Sequence, residues 1–220
     1  MSEKVTRRQE APKDWREVAR RQLQQSLAFG ALIVLVVFFS LASPNFLTWS
    51  NISGILLATA VIGIMALGTT FVIVTGGIDL SIGTGMTLSA VMTGLLVVNF
   101  GAPVWLGVVG GVATGAFMGF INGINVTYLG LPPFIATLAM MMVAQGLSLI
   151  LSGVKPIYFS NVAPNFKQLA IGEVIPGLPN AVLVTGLLAL VAAFFLVKTI
   201  LGRYTFAIGS NEEAVRLSGV

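Results

Sequence analysis

Between Gln22 and Val154 the chain carries a single charged side chain, Asp79. Apolar runs of about 20 residues, the length needed to cross about 30 Å of hydrocarbon as helix, alternate there with short clusters of Gly, Pro, Asn and Ser. A run this long and this apolar exceeds the core of one soluble domain; it fits a chain whose solvent is lipid. Six segments have spanning length: 23–43, 52–75, 81–100, 104–128, 133–152 and 181–200. Breakers separate them: Ser43-Pro44-Asn45, Gly76-Gly77, Gly101-Ala102-Pro103, Gly130-Leu131-Pro132-Pro133 and the Pro-, Asn- and Gly-rich stretch 153–180. The pattern predicts an all-α, polytopic helical membrane protein with about six transmembrane helices.

The polar flanks set an expected orientation. Residues 1–12 read as disordered, and 13–25 as an interfacial helix with Trp15, Val18 and Ala19 on one face and Glu17 four residues before Arg21. Six spans place both termini on one side. Arg7, Arg8, Lys13, Arg16, Arg20 and Arg21 mark that side as cytoplasmic, and Lys198, Arg203 and Arg216 fall with them. The loop 153–180 is then external, ordered at most in short pieces, with Lys155, Lys167 and Glu173 as its charges. The expected organisation is a cytoplasmic basic arm at 1–22, a helical transmembrane domain at 23–200 and a cytoplasmic tail at 201–220. A cleaved signal peptide is the alternative for the first span, since Leu41-Ala42-Ser43 loosely fits a cleavage site. The long polar lead and the membrane-like remainder speak against it.

Composition narrows the chemistry. Hydrophobic residues make up 56% and charged residues 9%, against about 25% charged in soluble domains, and the mean hydropathy is +0.95. The pI of 9.8 does not point to nucleic acid, because seven of the twelve Lys and Arg lie in residues 1–21; that arm reads as an anchor beside anionic lipid. With no Cys and no His, disulfides, Cys- or His-ligated metals and His general bases are excluded. No catalytic residue, metal site or cofactor is expected.

Two sets of residues stand out inside the spans. Gly107, Gly111, Gly115, Gly119 and Gly123 follow one another at four-residue steps on the fourth span, and Gly85, Ser89 and Thr93 repeat the idea on the third. Such stripes let helices approach closely, within one subunit or between two. The second is Gly76-Gly77-Ile78-Asp79-Leu80-Ser81-Ile82-Gly83. Its glycines can end the second span, and Asp79 or Ser81 can cap the third by accepting from free backbone N–H groups. The other reading is a helix break lining a solute pathway, tolerated only against protein or water, with Asp79 as a hydrogen-bond acceptor. Asn122, Asn125, Thr137 and Gln145 fit interhelical hydrogen bonds or solute contact. No second acidic residue accompanies Asp79, which disfavours an ion-coupled carrier.

The tail 202–219 is the other informative segment. Ser210 and Glu213 have capping-box spacing, and Gly219 is placed to end the helix that they start, about 211–218. Two turns of helix are unstable alone in water and require a surface to dock on. Ala214 and Leu217 would supply the apolar contacts, and Glu212, Glu213 and Arg216 the charge. A solvated linker on the headgroups is the alternative.

At these residues the chain resembles the permease subunits of bacterial ATP-binding-cassette importers for ribose, xylose and related monosaccharides. The likeness rests on 76–83 and 202–219, with Ser43-Pro44-Asn45-Phe46 and Pro133-Phe134-Ile135-Ala136-Thr137-Leu138 in support. The resemblance implies a non-enzymatic subunit of the bacterial cell membrane that pairs with a second permease subunit, alike or different. An external sugar-binding protein would feed it and a separate ATPase would drive it, in keeping with the absence of a phosphate-binding Gly-rich loop motif here. Asp79, Ser81, Asn122, Asn125, Phe134 and Thr137 become candidate pathway residues. Gly209, Ser210, Asn211, Glu212, Glu213, Ala214, Arg216, Leu217 and Gly219 become a candidate ATPase-coupling segment. Members of that family continue with further spans, so the chain reads as their first part; a truncated scaffold without transport is the alternative.

Overall fold

The computed structural model describes the backbone of residues 15–159, 162–163 and 165–219, and, within the first helix, the side chains of residues 26, 27 and 29 onward. Two compact units are present, Met1–Ile52 and Ser53–Val220.

The first unit is built on α1, Trp15–Ala42. The separate interfacial helix expected at 13–25 does not form as such; one unbroken helix runs from Trp15 through the apolar stretch Phe29–Ala42. Neither Gly nor Pro occurs between Trp15 and Phe29, so nothing interrupts the helical ladder. The side chains of Trp15, Glu17, Val18, Ala19 and Arg21, and all of residues 1–14, lie outside the described residues. After α1 the chain turns through Ser43-Pro44-Asn45. Phe46 N donates to Ser43 O at 3.2 Å, Thr48 Oγ1 to Asn45 O at 2.7 Å, and Asn51 Nδ2 to Phe46 O at 2.8 Å. The Phe39 and Phe46 rings stack at 5.7 Å.

The second unit holds the rest of α2 (Trp49–Val74), then α3 (Ile82–Gly94), α4 (Val104–Thr127), α5 (Pro133–Ser152), the short α6 (Gln168–Ile171), α7 (Asn180–Lys198) and α8 (Ile200–Leu217). The end of α3 loosens into a π-helical stretch, Leu95–Asn99. Among the described residues, five helices are long and apolar enough to cross a membrane: α2, α3 with its π-helical end, α4, α5 and α7. The boundaries lie within a few residues of those expected, and Pro133–Ser152 coincides with its segment. Large apolar side chains such as Val112, Phe117, Ile150 and Leu190 are exposed, as expected for helices solvated by lipid. The all-α, polytopic expectation holds.

The centre of this unit is α3, packed on α4 and α5. Leu88, Met118, Met140 and Ala144 form a small core between them. Along one side, α4 presents glycine to α3: a Cβ on Gly107 would collide with Val97, one on Gly110 with Leu96 and one on Gly111 with Thr93. Gly115 faces Ser89, while Gly119 and Gly123 have no neighbour for a Cβ within 4 Å. The glycine stripe therefore serves close packing on α3 only over its first three members. Thr185 Oγ1 of α7 lies 3.2 Å from Ala60 O of α2.

Helix ends follow from local chemistry. α2 stops in a Schellman arrangement: Gly77 N donates to Val72 O at 3.0 Å and Gly76 N to Ile73 O at 2.9 Å, with Gly76 at φ +83°. Glycine adopts such a left-handed backbone without the strain a side chain would bring. The stretch between α5 and α7 is mostly irregular, with α6 as its one helix among the described residues and the Phe159 and Phe166 rings stacked at 4.3 Å. Asn180 ties it to α7, accepting from Val174 N at 2.9 Å and donating to Gln168 O at 3.1 Å.

The tail differs from expectation. The helix expected at about 211–218 is the end of a longer one: α8 starts at Ile200 and bends at Asn211 (φ −163°, ψ 96°), leaving 212–217 as its last turns. Asn211 Oδ1, not Ser210, caps these turns, accepting from Ala214 N at 3.0 Å. With extended backbone at Asn211, its own side chain reaches the free N–H groups, which displaces the expected Ser210–Glu213 box.

Candidate functional site

Asp79 lies between the Schellman end of α2 and the start of α3, half-buried. Its Oδ1 accepts from Ser81 N at 2.7 Å and from the Ser81 hydroxyl at 2.6 Å. This is an Asx-type turn, in which a short acceptor side chain satisfies an N–H two residues on. Ser81 occupies the N-cap position of α3 but its side chain makes no capping bond. Its hydroxyl is engaged elsewhere: it donates to Asp79 and accepts from Asn122 Nδ2 of α4 at 3.0 Å. The result is a polar chain in which Asn122 donates to Ser81 and Ser81 donates to Asp79.

Thr137 of α5 lies beside the same loop. Its hydroxyl donates to Pro133 O at 2.8 Å within its own helix and lies 3.2 Å from Ile78 O. The end of α2, the starts of α3 and α5 and the last third of α4 thus meet at one end of the unit.

A cavity of about 400 Å³ opens beside the chain, between α2, α3 and α4. Asp79, Ser81 and Asn122 supply its polar wall; Ile64, Gly68, Met86 and Gly119 contribute to the remainder. Asn122 is 8% exposed, and its Oδ1 has no hydrogen-bond partner among the described residues. A buried carbonyl oxygen without a donor costs about 1–3 kcal/mol. Of the expected pathway residues, the structure brings Asp79, Ser81 and Asn122 together around this cavity and places Thr137 behind their loop. It leaves Asn125 half-buried and Phe134 exposed, neither lining the cavity. The wall provided by Ile64 and Gly68 carried no sign in the sequence, since ordinary apolar and glycine residues of a span look alike whichever way they face.

The tail reaches the same end of the unit. At the α7–α8 corner Thr199 Oγ1 accepts from Gly202 N at 3.3 Å, and a Cβ on Gly202 would strike the Leu196 carbonyl. Further along, Gly209 rests on the last turn of α2, where a Cβ would strike the Val74 carbonyl. Ser210, Glu212, Glu213, Ala214, Arg216 and Leu217 are exposed.

No solved structure matches the chain at a significant level. Among curated proteins it is 38% identical over 201 residues to the ribose import permease protein RbsC of Escherichia coli K12, covering 90% of this chain and 62% of that one. It is 34% identical over 207 residues to the fructose import permease protein FrcC of Rhizobium meliloti, covering 90% and 58%. It is 33% identical over 189 residues to the D-allose transport system permease protein AlsC of E. coli K12, covering 86% and 57%. The chain thus spans less than two thirds of the length of these relatives. The family described as branched-chain amino acid transport system / permease component matches residues 51–220, more than half of the chain, and the chain belongs to that family of permease components.

Proposed function

We propose that the chain acts as a permease subunit for a monosaccharide in a bacterial inner membrane, driven by a separate ATPase and fed by an extracytoplasmic sugar-binding protein. The observation that carries this reading is the 33–38% identity to proteins named as ribose, fructose and allose permeases. The chemistry agrees. Asp79 on the cavity wall offers an acceptor to a neutral polyol, and no charged side chain stands beside it in the spans to capture an ion.

In this reading residues 1–22 form a cytoplasmic arm, 23–200 the transmembrane body and 201–220 the ATPase-coupling segment, with the N-terminus cytoplasmic. A second permease subunit, alike or different, completes the pathway. The capped turns 212–217 project Leu217 into solvent, where a docking cleft would bury it. The test is ATP-dependent uptake of labelled ribose, allose and fructose in proteoliposomes containing the cognate ATPase and binding protein, with Leu217→Cys as a crosslinking site. Uptake of one sugar and a crosslink to the ATPase are expected. Uptake driven by an ion gradient without ATP, or no crosslink in an active complex, overturns the reading.

A further inference from the structure

We propose that Gly209 is a positioning residue through which α8 sets the geometry of the Asp79–Ser81–Asn122 chain; the inference rests on reading 209–219 as the ATPase-facing segment. Its physical basis is an unbroken set of contacts. Gly209 lies against the Val74 carbonyl and the Thr75 backbone, at the last turn of α2. The next residues form the Gly76–Gly77 turn, itself bonded back to Ile73 and Val72. Ile78 follows, with its carbonyl 3.2 Å from the Thr137 hydroxyl. Then comes Asp79, bonded to Ser81, which Asn122 holds from α4. Between Val74 and the carboxylate there are only four residues, Thr75 to Ile78, pinned at both ends.

The residue type supports the assignment. Gly209 lies in a helical stretch without a left-handed backbone, where Ala is the better helix former. Its glycine is explained by the approach to α2, since any Cβ would overlap a backbone carbonyl that no rotamer change can move aside. A displacement of α8 toward or away from α2 therefore acts on backbone, not on a pliable side chain. Coupling of this kind is a claim about energies, so it requires a measurement at one site in response to a change at the other.

The chain contains no cysteine, so each introduced thiol is a single reporter. In the full chain in proteoliposomes, Gly119→Cys reports on the cavity, where a Cβ meets nothing within 4 Å. Tyr158→Cys, exposed in the connecting stretch beyond α5, serves as control. A hydrophilic methanethiosulfonate reagent is expected to label Cys at 119 at a rate changed about fivefold or more by Gly209→Ala and further by Gly209→Val, with labelling at 158 unchanged. Because coupling is reciprocal, Ser81→Ala is expected to alter the mobility of a spin label at Glu213→Cys. That second arm stands if the Gly209 variants fail to insert. Unchanged labelling at 119 in well-inserted Gly209 variants, or, where they do not insert, an unchanged spin label at 213, overturns the proposal. Neither arm needs ATPase or sugar, so a failure of transport leaves the answer intact.

Discussion

Asn122 of α4 donates to the Ser81 hydroxyl at 3.0 Å across a sequence separation of 41 residues. The same Asn keeps a buried carbonyl oxygen without a partner among the described residues. Asn122→Ala removes both a hydrogen bond, worth about 0.5–1.5 kcal/mol, and an unsatisfied acceptor that costs about 1–3 kcal/mol. The two nearly offset each other. Thermal unfolding in detergent is expected to shift by no more than about 1 kcal/mol, while sugar uptake by the assembled transporter falls. A large loss of stability would show that Asn122 serves packing alone.

Asp79 tests the loop from its other end. Asp79→Ala strips the acceptor from Ser81 N and the Ser81 hydroxyl and is expected to destabilise the protein by about 1–3 kcal/mol for the two lost hydrogen bonds. Asp79→Asn retains an oxygen at the Oδ1 position and should recover more than half of that loss. Denaturation followed by tryptophan fluorescence distinguishes them; equal stability of the two variants would count against the Asx turn.

The glycine stripe of α4 gives a contrast within one helix. At Gly111 a Cβ would meet the Thr93 hydroxyl and lie 3.0 Å from Ser89 O, so Gly111→Ala is expected to cost about 1–3 kcal/mol through overpacking. At Gly119 and Gly123 no atom lies within 4 Å of the added methyl. Alanine there is expected to be neutral, or stabilising by up to about 1 kcal/mol through helix propensity. Resistance of the purified chain to unfolding by SDS ranks the three.

In the tail, the cap is assigned to Asn211. Asn211→Ala is expected to weaken the 212–217 turns by about 1 kcal/mol and so speed tryptic cleavage after Arg216 in reconstituted protein. Ser210→Ala should leave the cleavage rate unchanged. The opposite ranking would restore the Ser210–Glu213 capping box.

Much of the architecture was legible from the chain alone, because the demand lipid makes is local. About 20 consecutive apolar residues must satisfy their own backbone as helix, and Gly76-Gly77 or Pro132-Pro133 interrupt that ladder wherever they fall. Hence the match at 133–152, and the end of α2 at Val74, just before the Gly76 turn. The prominence of Asp79 was legible for the same reason, since a lone charge in such a run requires partners. What the pattern left open is which partners. Asn122 and Asn125 look equivalent in sequence, yet the rotation of α4 against α3 brings Asn122 to Ser81 and leaves Asn125 off the cavity. Five evenly spaced glycines look equivalent too, yet α3 begins at the level of Asn122, so Gly123 lies past its end and Gly119 faces the cavity instead. The approach of Gly209 to Val74 likewise depends on the Thr199 corner between α7 and α8. Spans and breakers are properties of neighbouring residues and belong to the sequence; the polar chain and the α8–α2 contact join residues far apart, and only the packing of whole helices decides them.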